Sequence, residues 1–389
     1  VKQISFGVFT DIHYANPYGS GVTVEDVASV ERQFTNLCIE RKVDFAIFAG
    51  DRFLSHTPDD VSRLHADREQ RYRNDSGIVT FSELGNHDWQ GKTAHTGHSN
   101  RFAKELWPDI HQNLVIMDTP GTYTHDKVPD VRIHALPAGS EFTWDCYKIP
   151  GQHSKTGWDI LVFHDLLAGT IIDVQSQFKM NTGMNRDSLD HPEFDLVLGG
   201  DVHIPQKIEF KFTRGGYIGS CIQQSRRDRG DSRGFVFFTL GERVDHVASI
   251  TSEFVPSICP HFVDVEWDVG LNNRFPTSQE IEAIVQASYG EGCKGNIVDL
   301  VFTGPRLALE KIPTNYAKTM ELELQARRVN PPTKVQPVVL TMGSNLTLTK
   351  TTSPEQDLDA FVKSGKQNLN GLDLERVLEK GNKVLEQLR

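Results

Sequence analysis

From Val1 to about Leu240 the chain alternates short apolar runs with polar breaks. The runs at 4–9, 45–49, 78–84, 160–163 and 194–198 are partly β-branched or aromatic and close on Gly or Asp, a pattern that predicts buried strands rather than helices. They stop at Asp11, Asp51, Asn86, His164 and Asp201 respectively. Between the first two runs, Val27, Val30, Phe34, Leu37, Cys38 and Ile39 fall near helical spacing and predict an amphipathic helix over Val24–Arg41. Strand and helix in alternation imply an α/β sheet with helices on its faces. Ligands of such sheets gather beyond the carboxyl ends of the strands, where all five polar clusters fall.

Two basic stretches interrupt this pattern. Residues 57–74 carry Arg63, Arg68, Arg71 and Arg73, and read either as a solvated helix face or as a contact for a phosphate backbone. The run QQSRRDRGDSRG places Arg226, Arg227, Arg229 and Arg233 in a loop ahead of a strand at 234–240. That makes Arg226, Arg227 and Arg229 candidate substrate contacts, with a solvated loop as the plain alternative.

The composition changes after about Phe254, so the chain divides into residues 1–254, an accessory α/β domain at 255–350 and a tail at 351–389. The accessory part shows strands at 262–267 and 296–303, a helix at Ser278–Tyr289 and a hairpin at 338–348. The tail reads as two helices, 355–362 and 372–388, the second with a broad leucine and valine face.

Net charge is −11, which excludes general electrostatic attraction to nucleic acid, so an anionic substrate must be met locally. Five cysteines without C-x-x-C spacing argue against a disulfide framework or a structural zinc site and favour a reducing compartment. No run approaches the ~18 apolar residues of a membrane span, and the first ten residues read as a strand rather than a leader. A soluble, non-secreted protein is expected.

The polar clusters are Asp11-Ile-His13, Gly50-Asp51, Gly85-Asn86-His87-Asp88, His164 and Gly200-Asp201-Val202-His203. A D-x-H triplet arises by chance about once in a chain of this length, whereas a fixed tetrapeptide such as GNHD, drawn from ~20 residue types, is far rarer. The set offers three carboxylates, three imidazoles and one carboxamide as ligands, with His87 left over. Oxygen and nitrogen donors without thiolate suit Mn²⁺, Fe²⁺ or Zn²⁺ better than Ca²⁺. Using all seven ligands takes two metals. Asp51 is the natural bridge, and a hydroxide shared between the ions is the expected nucleophile at phosphorus. The other histidines, among them His65, His95, His125, His153 and His246, are assigned no role.

The ordered set DIH, GD, GNHD, H, GDVH over residues 4–240 resembles the calcineurin-like metallophosphoesterase superfamily. That resemblance implies a β-sandwich flanked by helices. It also implies one metal on Asp11, His13, Asp51 and His203, and a second on Asp51, Asn86, His164 and Asp201. His87 would face the scissile phosphate and protonate the leaving oxygen or stabilise charge, with Asp88 orienting its imidazole. The last motif is usually G-H-x-H, and here Asp201 replaces the first His. Three aspartates against two divalent ions leave a formal +1, and zero once hydroxide binds, which predicts weaker attraction for a phosphodiester and a preference for Mn²⁺ or Mg²⁺.

The turn after GDVH, with Tyr217, Gly219, Ser220, Arg233 and Gly234, resembles the DNA double-strand-break repair nuclease subunits of the SbcD and meiotic-recombination-eleven type, bacteriophage counterparts included. The order of core, small capping domain and helical tail agrees with that type. The resemblance implies a Mn-dependent DNA exo/endonuclease in end processing, recombination and repair, homodimeric, cytoplasmic or nucleoid-associated. Its C-terminal helices would dock an SMC-like ATPase of the SbcC type. The other readings are a phosphodiesterase or phosphatase for small phosphate esters, and a DNA-end-binding scaffold whose metal site has decayed at Asp201.

Overall fold

The computed structural model describes residues 3–15, 22–90, 98–99, 111–143, 147, 157–173, 178–179, 182–225, 228, 232–244 and 247–335. The hairpin expected at 338–348, the two tail helices, and Arg226, Arg227 and Arg229 lie outside them. The main elements in chain order are β1 (Ile4–Phe9), α1 (Val24–Arg41), β2 (Phe45–Ala49), α2 (Asp60–Asp75), β3 (Val79–Glu83), β4 (Leu114–Met117), β5 (Gly121–Tyr123), β6 (Val131–Leu136), β7 (Trp158–His164), β8 (Leu196–Gly200), β9 (Gln206–Ile208), β10 (Gly215–Tyr217), β11 (Gly234–Val244), β12 (Val247–Pro256), β13 (Phe262–Asp268), α3 (Ser278–Tyr289), β14 (Ile297–Thr303), α4 (Tyr316–Glu323) and β15 (Arg328–Val335).

Two six-stranded sheets form a sandwich, one in the order β12-β11-β1-β2-β3-β4 and the other β9-β10-β8-β7-β6-β5. The period of two in each strand divides its side chains between two cores. Phe6, Val8, Phe45, Ile47 and Phe81 of the first sheet meet Ile133, Ile160, Val162 and Leu198 of the second. On the other face, Phe9, Ala46 and Phe48 pack under Val27, Val30, Phe34 and Cys38 of α1. Burial on both faces is why these strands read as continuous apolar runs. Gly7 lets α1 approach, because a Cβ there would stand 2.9 Å from the rings of Phe34 and Phe237. α1 itself starts at a capping box of Thr23 and Asp26 and stops at Lys42 in the left-handed conformation.

The parallel register β1-β2-β3 places the ends of these strands level, Phe9 beside Phe48 and Ala49 beside Glu83. In the second sheet, Gly200 pairs with His164. The five polar clusters therefore emerge along the carboxyl ends of five strands. The strand expected at 194–198 runs instead over Leu196–Gly200, because Phe194 turns into the outer-face core with Leu161 and Phe163.

The sandwich ends with β12 at Pro256, and a smaller parallel sheet, β13-β14-β15, begins at Phe262. Its third strand, RVNPPTKV, hides behind two prolines, and the ladder with β14 shifts register there. Gln223 Oε1 accepts from the Phe262 N–H at 2.7 Å, and Phe262 and Ile297 join the core beneath α1. By contacts, Val1–Gln336 is one compact unit. No helix among the described residues is long and apolar enough to cross a membrane.

Candidate metal centre

The loops that carry the site are built from strained backbone. Asp11, His13, Asp51 and Asp201 have φ of 50°, 50°, 58° and 75°, the left-handed region that side chains other than glycine rarely adopt. Such positions cost on the order of 1–3 kcal/mol each and persist where surrounding structure holds them. Here the 10–14 and 50–54 loops hold each other, with the Asp11 N–H donating to Gly50 O at 3.0 Å, His13 to Asp51 O at 3.1 Å and Tyr14 to Arg52 O at 2.7 Å. Glycines permit the crowding. A Cβ on Gly85 would meet Asp51 Oδ1 at 2.1 Å, and one on Gly50 would meet His164 Nδ1 at 2.2 Å.

Two groups of donor atoms result, Asp11 with His13 and His203, and Asp11 with Asp51 and His164; within each, the atoms lie within 4.8 Å of one another. Asp51 spans the two, its Oδ2 3.7 Å from His13 Nε2 and its Oδ1 3.3 Å from His164 Nε2. His13 and His203 face each other with Nε2 atoms 3.1 Å apart. His164 donates from Nδ1 to Ala49 O at 2.7 Å, which directs its Nε2 lone pair at Asp51 when the ring is neutral. Carboxylate oxygens and imidazole nitrogens that converge in a buried site fit divalent cations.

The electrostatics demand positive charge. Burial alone would keep His164 neutral, yet the carboxylates of Asp51, Asp11 and Asp201 pull its pKa well above the ordinary value. Burial opposes ionisation of Asp51, and the His164, His13 and His87 imidazoles outweigh it and hold its carboxyl far below the usual range. Asp11, the most enclosed of the set, is pushed up by burial to about 6 despite His164 and His203, and His13 is pushed down by burial to about 3. A donor set whose imidazoles and carboxylates compete for protons in this way gains from cations that relieve the competition.

The remaining expected residues take different places. Asp201 lies outside both donor groups; its N–H donates to Asp11 Oδ1 at 3.2 Å, and it lines a cavity of about 440 Å³ with His203, Leu54 and Ile172. Asn86 is exposed at the head of the single helical turn Asn86–Asp88. The His87 side chain is 41% exposed, its Nε2 3.9 Å from Asp51 Oδ2 and its Nδ1 2.7 Å from Leu54 O. Asp88, expected to orient the His87 imidazole, bonds elsewhere. Its buried carboxylate accepts from the N–H groups of Gly85, Arg52 and Phe53 at 3.0–3.2 Å and ties the GNHD turn to the 50–54 loop, while the Leu54 carbonyl holds the His87 ring.

Three placements were not expected. Asp228, inside the basic run, accepts from His203 Nδ1 at 3.0 Å. Arg233 is buried and donates to Asp228 and to His203 O. Arg73, expected on a solvated face or at a phosphate, is fully buried, bonding Glu31 at 2.8 Å and Gln70 at 2.6 Å. Glu31 also takes Arg52 Nη1 at 2.9 Å and the Tyr14 hydroxyl at 2.8 Å, so one buried carboxylate braces the residues that follow His13 and Asp51. The signal for Arg73 was available, since Ala66, Gln70 and Arg73 share the inward face of α2.

The sequence pattern described as calcineurin-like phosphoesterase matches residues 4–205. No curated protein matches. Among solved structures, a dimetal phosphatase of Danio rerio is similar at 10% identity over 66% of this chain and 99% of its own, with a TM-score of 0.40. A Staphylococcus aureus protein assigned as a 5′-nucleotidase, in complex with α-ketoglutarate, is similar at 16% identity over 66% of this chain, with a TM-score of 0.38. The match spans 55% of that protein's length.

Proposed function

Because this chain belongs to the calcineurin-like phosphoesterase family, we propose that it is a Mn-dependent DNA exo/endonuclease subunit of the SbcD and meiotic-recombination-eleven type. The observation that carries this reading is the turn after β10. Ser220 Oγ donates to Asp11 O at 2.9 Å and the Ser220 N–H donates to His203 O at 3.0 Å. The Tyr-x-Gly-Ser turn that resembles the nuclease subunits thus braces the two loops that bring Asp11 and His203 together. Gly219, at φ 82°, is required there, because a Cβ would stand 2.6 Å from the Pro205 ring.

Asp11, His13, Asp51, Asn86, His164, Asp201 and His203 would hold two divalent cations, which supply Lewis acidity and activate water for in-line attack on phosphorus. The chain's own groups do the rest. Burial of Asp11 and Asp51 excludes competing solvent from the carboxylates. His87 is accessible and fixed through Nδ1, so its Nε2 is the atom that carries a proton to the leaving oxygen. The protein's net charge of −11 repels DNA, and the cations and local arginines, with Arg226, Arg227 and Arg229 as candidates, supply the attraction.

In the same reading the sheet β13-β14-β15 caps the core and orients DNA, the tail helices dock an SMC-like ATPase of the SbcC type, and the subunit is a homodimer in the cytoplasm or on the nucleoid. The test is hydrolysis of linear double-stranded DNA and of bis-p-nitrophenyl phosphate with Mn²⁺, comparing wild type with His87→Ala and Asp201→His. Cleavage of DNA that His87→Ala loses supports the nuclease, and a gain in Asp201→His shows that the aspartate tunes the site. Turnover of the small ester alone replaces the nuclease with a small-ester phosphodiesterase. Two bound ions without turnover of either substrate point to a DNA-end scaffold or to a nuclease silent without its ATPase.

A further inference from the structure

His203 is the one donor of its group that reaches the site from a loop beyond the second sheet, and its aim depends on what holds the far side of its ring. That partner is Asp228, whose Oδ1 lies 3.0 Å from His203 Nδ1. The carboxylate is itself immobilised. Its Oδ2 accepts from the N–H groups of Gln224 at 3.0 Å and Ser225 at 2.9 Å and from Ser225 Oγ at 3.3 Å. Arg233 Nη2 reaches Oδ1 at 3.3 Å and the Asp228 carbonyl at 3.1 Å, and its Nη1 donates to the carbonyl of His203.

Both oxygens are therefore committed, and Asp228 is not itself a ligand. Its effect passes through the ring. A carboxylate accepting from Nδ1–H fixes the tautomer in which Nε2 presents a lone pair to the site and makes that nitrogen a stronger donor. Arg233 adds a second restraint by gripping the backbone of the same histidine. Asp228, Arg233 and His203 also line the cavity of about 440 Å³ that Asp201 borders.

We propose that Asp228 is a positioning residue that orients His203 toward a divalent cation shared with Asp11 and His13, and that Arg233 locks the pair. The inference rests on the metal-site reading of the family motif. Nothing in the basic run announces it, because the aspartate is embedded among the arginines that suggested substrate contact.

Protein stripped of metal by a chelator and titrated calorimetrically with Mn²⁺ separates the possibilities. Wild type should take up two ions. In Asp228→Ala and Asp228→Asn one uptake should weaken by about 10- to 100-fold while the other holds. The amide is informative because it keeps the volume of Asp228, yet it cannot accept from both His203 and the 224–225 backbone. Ser225→Ala, which removes a hydroxyl from Asp228 but leaves the His203 contact, should keep both affinities. Variants that melt normally and bind both ions as wild type does overturn the proposal. Weakening of both uptakes together with loss of the melting transition marks Asp228 as a folding residue and also overturns it. Wild type that takes up no Mn²⁺ overturns the metal-site reading and this inference with it, whereas uptake by wild type with unweakened variants overturns the inference alone.

Discussion

His13 and His203 aim their Nε2 atoms at each other across 3.1 Å, with Asp51 and Asp11 carboxylate oxygens 3.7 and 3.9 Å from His13. Two imidazoles that close either share a proton or share a cation, and the surrounding carboxylates favour the greater positive charge. Metal binding should therefore stabilise the fold, by roughly 2.7 kcal/mol for each site at an ion concentration 100-fold above Kd. Thermal melting should rise with added Mn²⁺ and fall on chelation, and His13→Ala together with His203→Ala should remove most of the response. Melting indifferent to both Mn²⁺ and chelator would sink the metal reading.

His87 touches the site without belonging to either donor group. Under the proposed nuclease reading, His87→Ala should leave Mn²⁺ uptake unchanged and lower kcat by about 10²- to 10⁴-fold on DNA, whose leaving alkoxide needs a proton. On bis-p-nitrophenyl phosphate, with a stable leaving phenolate, the loss should be clearly smaller. Equal losses on the two substrates would remove the general-acid role and leave His87 a charge-stabilising one.

Arg73 is buried against Glu31, Gln70, Thr80 and Thr35, while Arg71, on the same helix, pairs with Asp67 at 3.2 Å in solvent. Arg73→Leu leaves Glu31 with one fewer cation in a dry setting and should cost about 3–5 kcal/mol in urea unfolding. Arg71→Ala should change stability by less than about 0.5 kcal/mol. Similar small effects for both would return Arg73 to the solvated face.

The parts of this architecture that could be read from the sequence share a physical signature. Strands buried on both faces become apolar runs, and polar donors at their ends become polar full stops, so β1, β2, β3, β7 and the convergence of Asp11, Asp51, His164 and His203 were legible. α1 was legible from its spacing and cap. Residues whose meaning depends on a distant partner were not. Asp228 gains its role from a ring 25 positions away, Glu31 from Tyr14, Arg52 and Arg73, and Asp88 from the backbone of Arg52 and Phe53. Adjacency misled for Asp88, which follows His87 in sequence but turns its carboxylate to another loop. β15 was hidden because its prolines argue against a strand, although an edge position tolerates them.

Glu83 closes β3 with a fully buried carboxyl, one oxygen accepting from the Leu136 N–H at 3.0 Å and the other without a hydrogen-bond partner among the described residues. Burial pushes its pKa to about 8 from an ordinary 4.5, against the opposing influence of His164 and that backbone bond. The folded state then holds a proton that the unfolded state releases between pH 4.5 and 8. Stability from this group is fully present below the lower value and is lost as pH rises through the upper one. Glu83→Gln keeps the shape of the protonated acid and has nothing to ionise. In metal-free protein, urea unfolding of the variant and wild type should diverge as pH climbs from 5 to 8, with the variant gaining up to roughly 4 kcal/mol relative to wild type. Curves that stay parallel across that interval would place the Glu83 pKa near its ordinary value, and the unpartnered oxygen would then need a charged neighbour to explain it.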